Sequence, residues 1–402
     1  MFETLIDPKI IRDPIHEYIE IKHQVILECI DSKEFQRLRR IRQLGGTAQV
    51  FPTGEHSRFT HALGVYHLIT RLLKVVPELK EILSEFDQIS LLLAGLLHDV
   101  GHGPFSHTFE QITGVSHEVR SKQIILGDSE INQALIKANP KLPEAVVAIL
   151  NQTHPNPLLN QIVVGQLDVD RMDYLLRDAY FTGVSYGNFD LGKIIHSILV
   201  FENQLVIKES AIHAVEDYIM ARYHMYWQVY FHPISRSFEI MLIKLLTRIK
   251  DLYQIDKSLV KDLKMFTILF EEFPLSNEEF YLLDESSWTY GISQLSKHSD
   301  IILSDLSKRL LKRNLFIDVP YQDLKSKQAV SLSLTAKGYD PKYYLAKDVA
   351  IARPYYPYLM DKNVIWVLTN QQVKELSAVS EIVQAIIKGE DKQVAKLFFP
   401  KL

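Results

Sequence analysis

The spacing of apolar residues is helical along most of the chain. Apolar side chains recur every three positions between Phe35 and Leu44, among arginine and glutamine, which predicts one amphipathic helix over residues 31–44. Residues 89–98 are apolar on nearly every side and predict a buried helix. Further helical patterns cover residues 58–76, 141–152, 168–179, 214–230 and 235–253.

Strand patterns are sparse and come late in the chain. Short β-type segments are predicted at residues 205–207, 329–334 and 364–368. Residues 353–358, rich in proline and tyrosine, are expected to form an ordered loop. The pattern as a whole predicts a mainly α fold, in which a helical body is followed by a smaller α+β C-terminal part.

Composition limits the fold class and the compartment more than the function. The chain has 402 residues, of which 47% are hydrophobic, enough for one large core or two modest ones. A formal net charge of -4, with acids and bases in balance, argues against a dedicated nucleic-acid partner. The single cysteine, Cys29, cannot form an internal disulfide, and residues 1–14 lack the apolar core of a signal peptide. Because every apolar stretch is well short of the roughly 18 residues that span a bilayer, we expect a cytoplasmic protein without membrane association.

A histidine–aspartate pair ends the predicted buried helix. His98 and Asp99 follow the apolar run 91–97, with His61 before them and Asp170 after them in the chain. Imidazole nitrogen favours Mn, Fe, Co, Ni or Zn, and carboxylates also accept Mg, so two of each suit a catalytic divalent cation. Such a cation activates water, which makes hydrolysis the first hypothesis. The alternative is a hydrogen-bonded pair at a helix end that holds no metal.

Three segments carry a resemblance to a known family. Residues 58–61 (RFTH), 98–107 (HDVGHGPFSH) and 168–174 (DVDRMDY) resemble the HD-domain deoxynucleoside triphosphate (dNTP) triphosphohydrolases of bacteria and mammals. The similarity extends to residues 13–16, 35–45 and 223–235.

The resemblance also implies a domain organisation. It places an HD-domain helical body with a metal-dependent phosphohydrolase core at residues 51–250. The flanking parts are an N-terminal segment with a regulatory helix at 1–50 and a helical extension with a mixed α+β C-terminal region at 251–402.

The resemblance implies a role for each catalytic residue. His61, His98, Asp99 and Asp170 would hold the divalent metal. His102, His107 and His117 would surround the attacked α-phosphorus, with His107 donating a proton to the departing 5′ oxygen and Glu110 orienting His107. Histidine suits this task because it titrates near neutral pH. The alternative for any one of these histidines is an ordinary surface position.

Substrate contacts follow from the same resemblance. Arg58, Arg171 and Arg222 match phosphate-binding positions, and guanidinium groups suit paired phosphoryl oxygens. Tyr174, one helical turn beyond Arg171, would face the same pocket. The sugar would be bound by a further set, in which Tyr230 excludes a 2′ hydroxyl: Gln43, Leu44, Asp178 and Tyr230. The alternatives are solvated surface charges for the arginines and a core aromatic for Tyr230.

A regulatory site is implied near the N-terminus. Lys9, Asp31, Gln36 and Arg39 match positions that read a guanine nucleotide at a subunit interface, so dGTP or GTP is the expected activator and a homotetramer or homodimer the expected assembly. The alternative is an ordinary charged helix surface with Asp31 as its N-cap.

Three functional hypotheses stay open from the sequence. The first is metal-dependent hydrolysis of dNTPs to deoxynucleosides and inorganic triphosphate, regulated by a guanine nucleotide. The second is an HD phosphohydrolase that acts on nucleoside monophosphates or alarmone nucleotides. The third is a non-catalytic nucleotide sensor or nucleic-acid-binding scaffold on the same fold. The complete set of metal-ligating side chains favours an enzyme, and the spread of arginines favours a triphosphate.

Overall fold

The first element is an antiparallel hairpin at the N-terminus. The computed structural model describes residues 1–270, 275–352, 355–356, 364–388 and 392–402. In it, β1 (Thr4–Asp13) pairs with β2 (Glu17–His23). Ile19 and Ile21 are fully buried and alternate with polar residues along β2. This alternation is a strand signal, so the prediction that strands come only late in the chain is wrong.

Residues 31–44 do not form one helix, and that prediction is wrong. α1 (Gln24–Asp31) ends before Ser32, which has an extended backbone and caps α2 (Lys33–Arg37) with its hydroxyl group. A 3-10 turn at Leu38–Arg40 follows, and apolar residues three apart share one face of such a turn. The chain breaks at Ser32 because its side chain accepts a hydrogen bond from the backbone N–H of Phe35, which favours a helix start over a helix interior. Asp31 therefore ends one helix and does not cap the next.

The helical body lies between residues 58 and 255. Its helices are α3 (Arg58–Val75), α4 (Pro77–Ile82), α5 (Glu85–Leu97), α6 (His107–Thr113), α7 (His117–Leu126), α8 (Glu130–Ala138), α9 (Leu142–Leu150), α10 (Pro157–Val163), α11 (Val169–Thr182), α12 (Leu191–Ser197), α13 (Ile212–Met225) and α14 (Pro233–Ile255). The helices predicted at 58–76, 89–98, 141–152, 168–179 and 235–253 are confirmed. α3 and α5 pack so closely that a Cβ on Gly95 would lie 2.2 Å from the Cδ1 of Ile69. This contact fixes the helix that carries His61 against the helix that ends before His98.

The helix predicted at residues 214–230 changes form before it ends. α13 gives way to one π-helical turn at Tyr226–Tyr230. A π-helical turn redirects the side chains that follow an α-helix, and such turns are frequent at functional sites. Both Tyr226 and Tyr230 line the large cleft described below.

The C-terminal part combines helices with two small sheets. Its helices are α15 (Lys264–Thr267), α16 (Asn277–Tyr281), α17 (Glu285–Leu295), α18 (Ile301–Leu311), α19 (Leu324–Ala336), α20 (Pro341–Tyr344), α21 (Leu376–Val379) and α22 (Glu381–Lys388). One sheet has the order β3 (Ile198–Phe201), β4 (Gln204–Lys208), β7 (Trp366–Thr369), β8 (Gln372–Glu375), with β4 and β7 parallel. The other has the order β5 (Ile317–Pro320), β9 (Lys392–Phe399), β6 (Ala346–Ala352), all antiparallel. The predicted fold class, a helical body with a smaller α+β part, is confirmed.

The late strand predictions have mixed outcomes. Residues 205–207 lie within β4, and β7 begins inside the predicted segment 364–368. The strand predicted at 329–334 is wrong, because these residues belong to α19, which starts from a capping box between Asp323 and Ser326. Of the loop predicted at 353–358, only residues 355 and 356 belong to the described part. Among the helices of all the residues that the structure describes, none is both long and apolar enough to cross a membrane.

Candidate active site

Four side chains from three helices meet at the bottom of a cleft. His61 lies on α3, His98 and Asp99 follow the last turn of α5, and Asp170 lies in the first turn of α11. The Nε2 atom of His61 is 3.0 Å from Oδ1 of Asp170 and 3.3 Å from Nε2 of His98. The Nε2 atom of His98 is 3.3 Å from Oδ1 of Asp99. The helices thus bring together all four residues expected to hold a metal.

In each of the two histidines, the hydrogen bond made by Nδ1 decides whether Nε2 can bind a metal. Nδ1 of His61 is 2.8 Å from Oδ2 of Asp173, and Nδ1 of His98 is 2.9 Å from the carbonyl oxygen of Gly95. Both partners are acceptors, so each Nδ1 donates a hydrogen bond, and in the neutral imidazole each Nε2 presents a lone pair. The two Nε2 atoms lie 3.3 Å apart, so both lone pairs would bind one shared cation once it displaces the proton held there. The donor set therefore fits a divalent metal.

A buried network fixes the orientation of His61. Asp173 accepts hydrogen bonds from the Arg177 guanidinium at 2.8 and 2.9 Å and lies 2.6 Å from Nε2 of His16. Arg177 in turn donates to Asp13, which precedes the hairpin turn. Gly64 makes room for this network, since a Cβ there would lie 1.9 Å from Oδ1 of Asp173.

Sequence reasoning assigned no role to Asp13, His16, Asp173 or Arg177. One signal was available, because Arg177 is one helical turn beyond Asp173. The pairing with Asp13 and His16 connects residues far apart in the chain and could not be read from spacing.

Charges at the site are strongly coupled. Burial by itself lowers the pKa of His61, but hydrogen bonds to Asp170 and Asp173 outweigh it and raise the pKa to about 10. Burial opposes ionisation of Asp99, yet His98 and Arg58 hold its pKa well below its usual range. The carboxylates thus create a negative field that attracts a proton or a metal cation, and a metal would displace the proton.

The cleft above these residues has a volume of about 340 Å³. Its walls contain eleven of the predicted site residues: Gln43, Leu44, Arg58, Asp99, His102, His107, His117, Asp170, Tyr174, Asp178 and Tyr230. A cavity of this size falls within the range of small-molecule binding sites.

One end of the cleft is lined by histidines and one arginine. Arg58 donates to the Ser106 hydroxyl at 3.0 and 3.1 Å and to Asp99. The rings of His102 and His117 stack with their centroids 3.7 Å apart. Burial and the nearby Arg58 guanidinium keep the pKa of His102 well below its usual value, so this imidazole is neutral. The side chain of His107 is 78% exposed and faces the open cleft.

Glu110 contacts two of these histidines. Its Oε1 accepts a 2.8 Å hydrogen bond from the backbone N–H of His117 and also contacts Nδ1 of that residue. Its Oε2 lies 3.4 Å from Nδ1 of His107. Burial raises the pKa of Glu110, but the two histidines outweigh burial and hold the pKa well below its usual range. In this geometry the carboxylate orients His117 more tightly than His107.

Two of the three arginines expected to bind phosphate are not among the residues that line the cleft. The guanidinium of Arg171 contacts the carboxylate of Asp168 and the carbonyl oxygen of Gly165. Arg222 is buried, with its guanidinium 5.8 Å from the centre of the Tyr226 ring. Tyr174 does line the cleft.

The other end of the cleft is built around Asp178. Its Oδ2 accepts a 2.7 Å hydrogen bond from the Tyr230 hydroxyl, and its Oδ1 is 2.8 Å from Nε2 of His56. Burial and the Asp178 carboxylate raise the pKa of Tyr230 well above its usual value, so the phenol keeps its proton. His56 is a site residue that sequence reasoning missed. It precedes the RFTH segment by two positions, which was the only available signal.

The four residues expected to bind a regulator lie on the N-terminal elements. Lys9 is exposed on β1, and Asp31 is exposed at the end of α1. Arg39 donates to the Gln36 side chain at 2.8 Å, and its guanidinium lies 3.6 Å from the centre of the Phe59 ring. The structure therefore joins Gln36 to Arg39 within one turn of chain.

Two family models match the sequence of the chain. One, described as an HD domain, matches residues 58–178, which contain all four candidate metal ligands. The other, described as an HD associated region, matches residues 189–397. The chain belongs to the HD-domain phosphohydrolases.

Two relatives in sequence and one solved structure illustrate what this HD-domain phosphohydrolase resembles. A protein of Bacillus subtilis, named uncharacterized protein YwfO, is 42% identical over 99% of this chain and 93% of its own. The human deoxynucleoside triphosphate triphosphohydrolase SAMHD1 is 31% identical over 61% of this chain and 45% of its own length. A crystal structure of a phosphohydrolase from Bacteroides thetaiotaomicron has a TM-score of 0.84 at 28% identity, and the match covers 98% of this chain and 100% of that one. The expected family resemblance is confirmed.

Proposed function

We propose that this HD-domain phosphohydrolase hydrolyses dNTPs to deoxynucleosides and inorganic triphosphate. The observation that carries the proposal is a single cleft with two chemically different ends. One end has the metal-ligating residues with Arg58 and His107, and the other has Asp178 hydrogen-bonded to Tyr230. Phosphates suit the first end and a sugar suits the second.

The metal-binding end supplies the chemistry for hydrolysis. A divalent cation held by His61, His98, Asp99 and Asp170 would act as a Lewis acid and activate water. His107 is the proton donor in this proposal, since its exposed imidazole reaches the cleft and carries a transferable proton when charged. Arg58 is already positioned by the Ser106 hydroxyl and supports negative charge on a phosphoryl group.

The sugar end supplies the discrimination between deoxyribose and ribose. Asp178 accepts hydrogen bonds, so it can bind a 3′ hydroxyl. The ring of Tyr230, held by that carboxylate, would occupy the space that a 2′ hydroxyl requires. The similarity to human SAMHD1, a deoxynucleoside triphosphate triphosphohydrolase, supports a dNTP as the substrate class.

A second candidate follows from the arginines. Arg58 and Arg236 are the arginines that line the described cleft, and Arg236 is paired with Asp348. Fewer available cations favour a ligand with fewer phosphates, so hydrolysis of a deoxynucleoside monophosphate is the alternative.

One assay separates these candidates. Metal-loaded protein is incubated with each dNTP and each dNMP, in Mn²⁺ or Mg²⁺, and the products are separated by anion exchange. We expect deoxynucleoside and intact triphosphate from dNTPs, and no product from Asp99→Ala. The matched control is Asp217→Ala, which changes an exposed aspartate on α13 and should retain activity. Turnover of dNMPs alone would favour the second candidate, and turnover of neither would refute both.

A further inference from the structure

The turn before His107 has an unusual backbone. Phe105 and Ser106 have φ angles of 54° and 40°, a region that side-chain-bearing residues rarely adopt. Ser106 precedes the first residue of α6, His107, and its hydroxyl accepts both hydrogen bonds from Arg58. Such strain persists only where the surrounding structure holds it in place.

The support for this turn comes from α17, far along the chain. Oε1 of Glu285 lies 3.4 Å from the backbone nitrogen of Phe105, which donates to it. The Phe105 ring packs against Trp288, one turn further along α17, with the centroids 6.1 Å apart. Both residues are buried. α17 thus contacts the strained turn through a carboxylate and through an indole ring.

The same carboxylate holds a second segment of the cleft. Oε1 of Glu285 accepts a 3.0 Å hydrogen bond from the backbone N–H of Arg42, and Oε2 is 3.4 Å from the Nε of that residue. Arg42 is followed by Gln43 and Leu44, which line the cleft. One side chain therefore joins the histidine-lined end of the cleft to the sugar end.

Two further arginines anchor the region around this contact. Arg37 donates to the carbonyl oxygen of Leu283 at 2.9 Å and to that of His102 at 2.8 Å. Arg40 pairs with Asp284 at 2.5 Å. Residues 283–285 thus receive three arginines, one from the last residue of α2 and two from the segment that follows it: Arg37, Arg40 and Arg42.

We propose that Glu285 is a positioning residue of this enzyme. Its carboxylate holds the Phe105–Ser106 turn and the Arg42–Leu44 segment at a fixed separation, which aims His107 and shapes the sugar end. The inference rests on the proposed function for its catalytic consequence, and on the two backbone contacts for its structural one. It gives the HD associated region, which contains α17, a direct part in building the cleft.

Charge gives the role a pH dependence. Burial raises the pKa of Glu285 to about 7. The N–H groups of Arg42 and Phe105 and the positive charges of Arg42 and Arg58 stabilise the ionised carboxylate and offset part of this rise. The Asp284 carboxylate adjoins it and is paired with Arg40. Below about pH 7 the side chain is protonated, so its hold on the two N–H donors weakens and activity should fall. Glutamine cannot titrate, so Glu285→Gln should lack this acid limb.

The test compares Glu285→Ala and Glu285→Gln with a matched control. Glu278→Gln removes an exposed glutamate that pairs with Lys33 near the same segment, and should behave like the unmodified enzyme. We expect kcat to fall by about 10- to 100-fold in Glu285→Ala, with smaller changes in KM and unchanged metal content. The kcat of Glu285→Gln should lie between those of Glu285→Ala and the unmodified enzyme, because the glutamine amide oxygen still accepts a hydrogen bond.

Hydrogen exchange makes the test independent of the proposed function. In Glu285→Ala, the amides of Arg42 and Phe105 should exchange about tenfold faster, while amides of α9 should not change. If the unmodified protein turns over no dNTP but this pattern appears, the proposed function fails and the positioning role stands. If Glu285→Ala does not fold, Glu285→Gln carries the test through its pH profile. Unchanged kcat and unchanged exchange at both segments would overturn the inference.

Discussion

Asp173 is not among the residues that line the cleft, yet it fixes the orientation of His61, a candidate metal ligand. It holds Nδ1 of His61 at 2.8 Å and is itself held by Arg177 and His16. Burial raises the pKa of Asp173, but Arg177 and the two histidines outweigh burial and hold the pKa well below its usual range. The carboxylate is therefore ionised and is suited to orient the imidazole toward a cation.

Asp173→Asn should weaken metal binding without removing a ligand. Loss of an outer-shell carboxylate typically reduces metal affinity by roughly 10- to 100-fold. The affinity is measured by titrating metal-free protein with Mn²⁺, and Asp217→Asn serves as an exposed control on α13. Affinity equal to that of the control would mean that Asp173 has only a structural role.

Tyr230 offers a second test at a single residue. Unmodified enzyme should prefer dGTP to GTP by roughly 100-fold, the order of discrimination expected when a pocket must reject one added hydroxyl group. Tyr230→Ala should largely lose this preference because it removes the ring, whereas Tyr230→Phe keeps the ring and should retain most of it. Competing turnover of the two nucleotides gives the ratio directly. Equal loss in both variants would assign discrimination to the hydroxyl and not to the ring.

The helices that carry the site were predictable, and the contacts between them were not. Apolar periodicity was enough to predict α3, α5 and α11, and the motif residues fall at their ends. The N-terminal hairpin was missed because its alternation covers few residues, and the break at Ser32 was missed because one hydroxyl decides it. His56 reaches Asp178 and Glu285 reaches Phe105 across more than 100 residues, so only the folded chain reveals these pairs.

The crossing of α3 and α11 gives a prediction about packing. Gly64→Ala would place a methyl group 1.9 Å from Oδ1 of Asp173 and 2.5 Å from the Arg177 guanidinium. Overpacking of this kind costs roughly 1 to 3 kcal/mol of unfolding free energy. Gly192→Ala is the matched control on α12, where the nearest atom lies at 3.4 Å. Chemical denaturation that shows both variants equally stable would contradict the described packing.

At the scale of the whole molecule, the regulatory site stays a prediction. Lys9, Asp31, Gln36 and Arg39 combine donors with a carboxylate acceptor that suits the edge of guanine. We expect dGTP or GTP to raise the rate of dTTP hydrolysis by roughly 5- to 150-fold and to stabilise a dimer or tetramer. Rate and molecular mass are followed together, with Asp31→Ala and Arg39→Ala as the variants. If guanine nucleotides alter neither quantity in the unmodified protein, the surface has no such role.

The site of bond cleavage tests the central claim most directly. Metal-loaded protein is incubated with dGTP in water enriched in ¹⁸O, and the masses of the products are measured by mass spectrometry. Attack of water on the α-phosphorus with departure of the 5′ oxygen predicts unlabelled deoxyguanosine and triphosphate that carries one ¹⁸O atom. Labelled deoxyguanosine, or dGMP with pyrophosphate as the first products, would contradict the account.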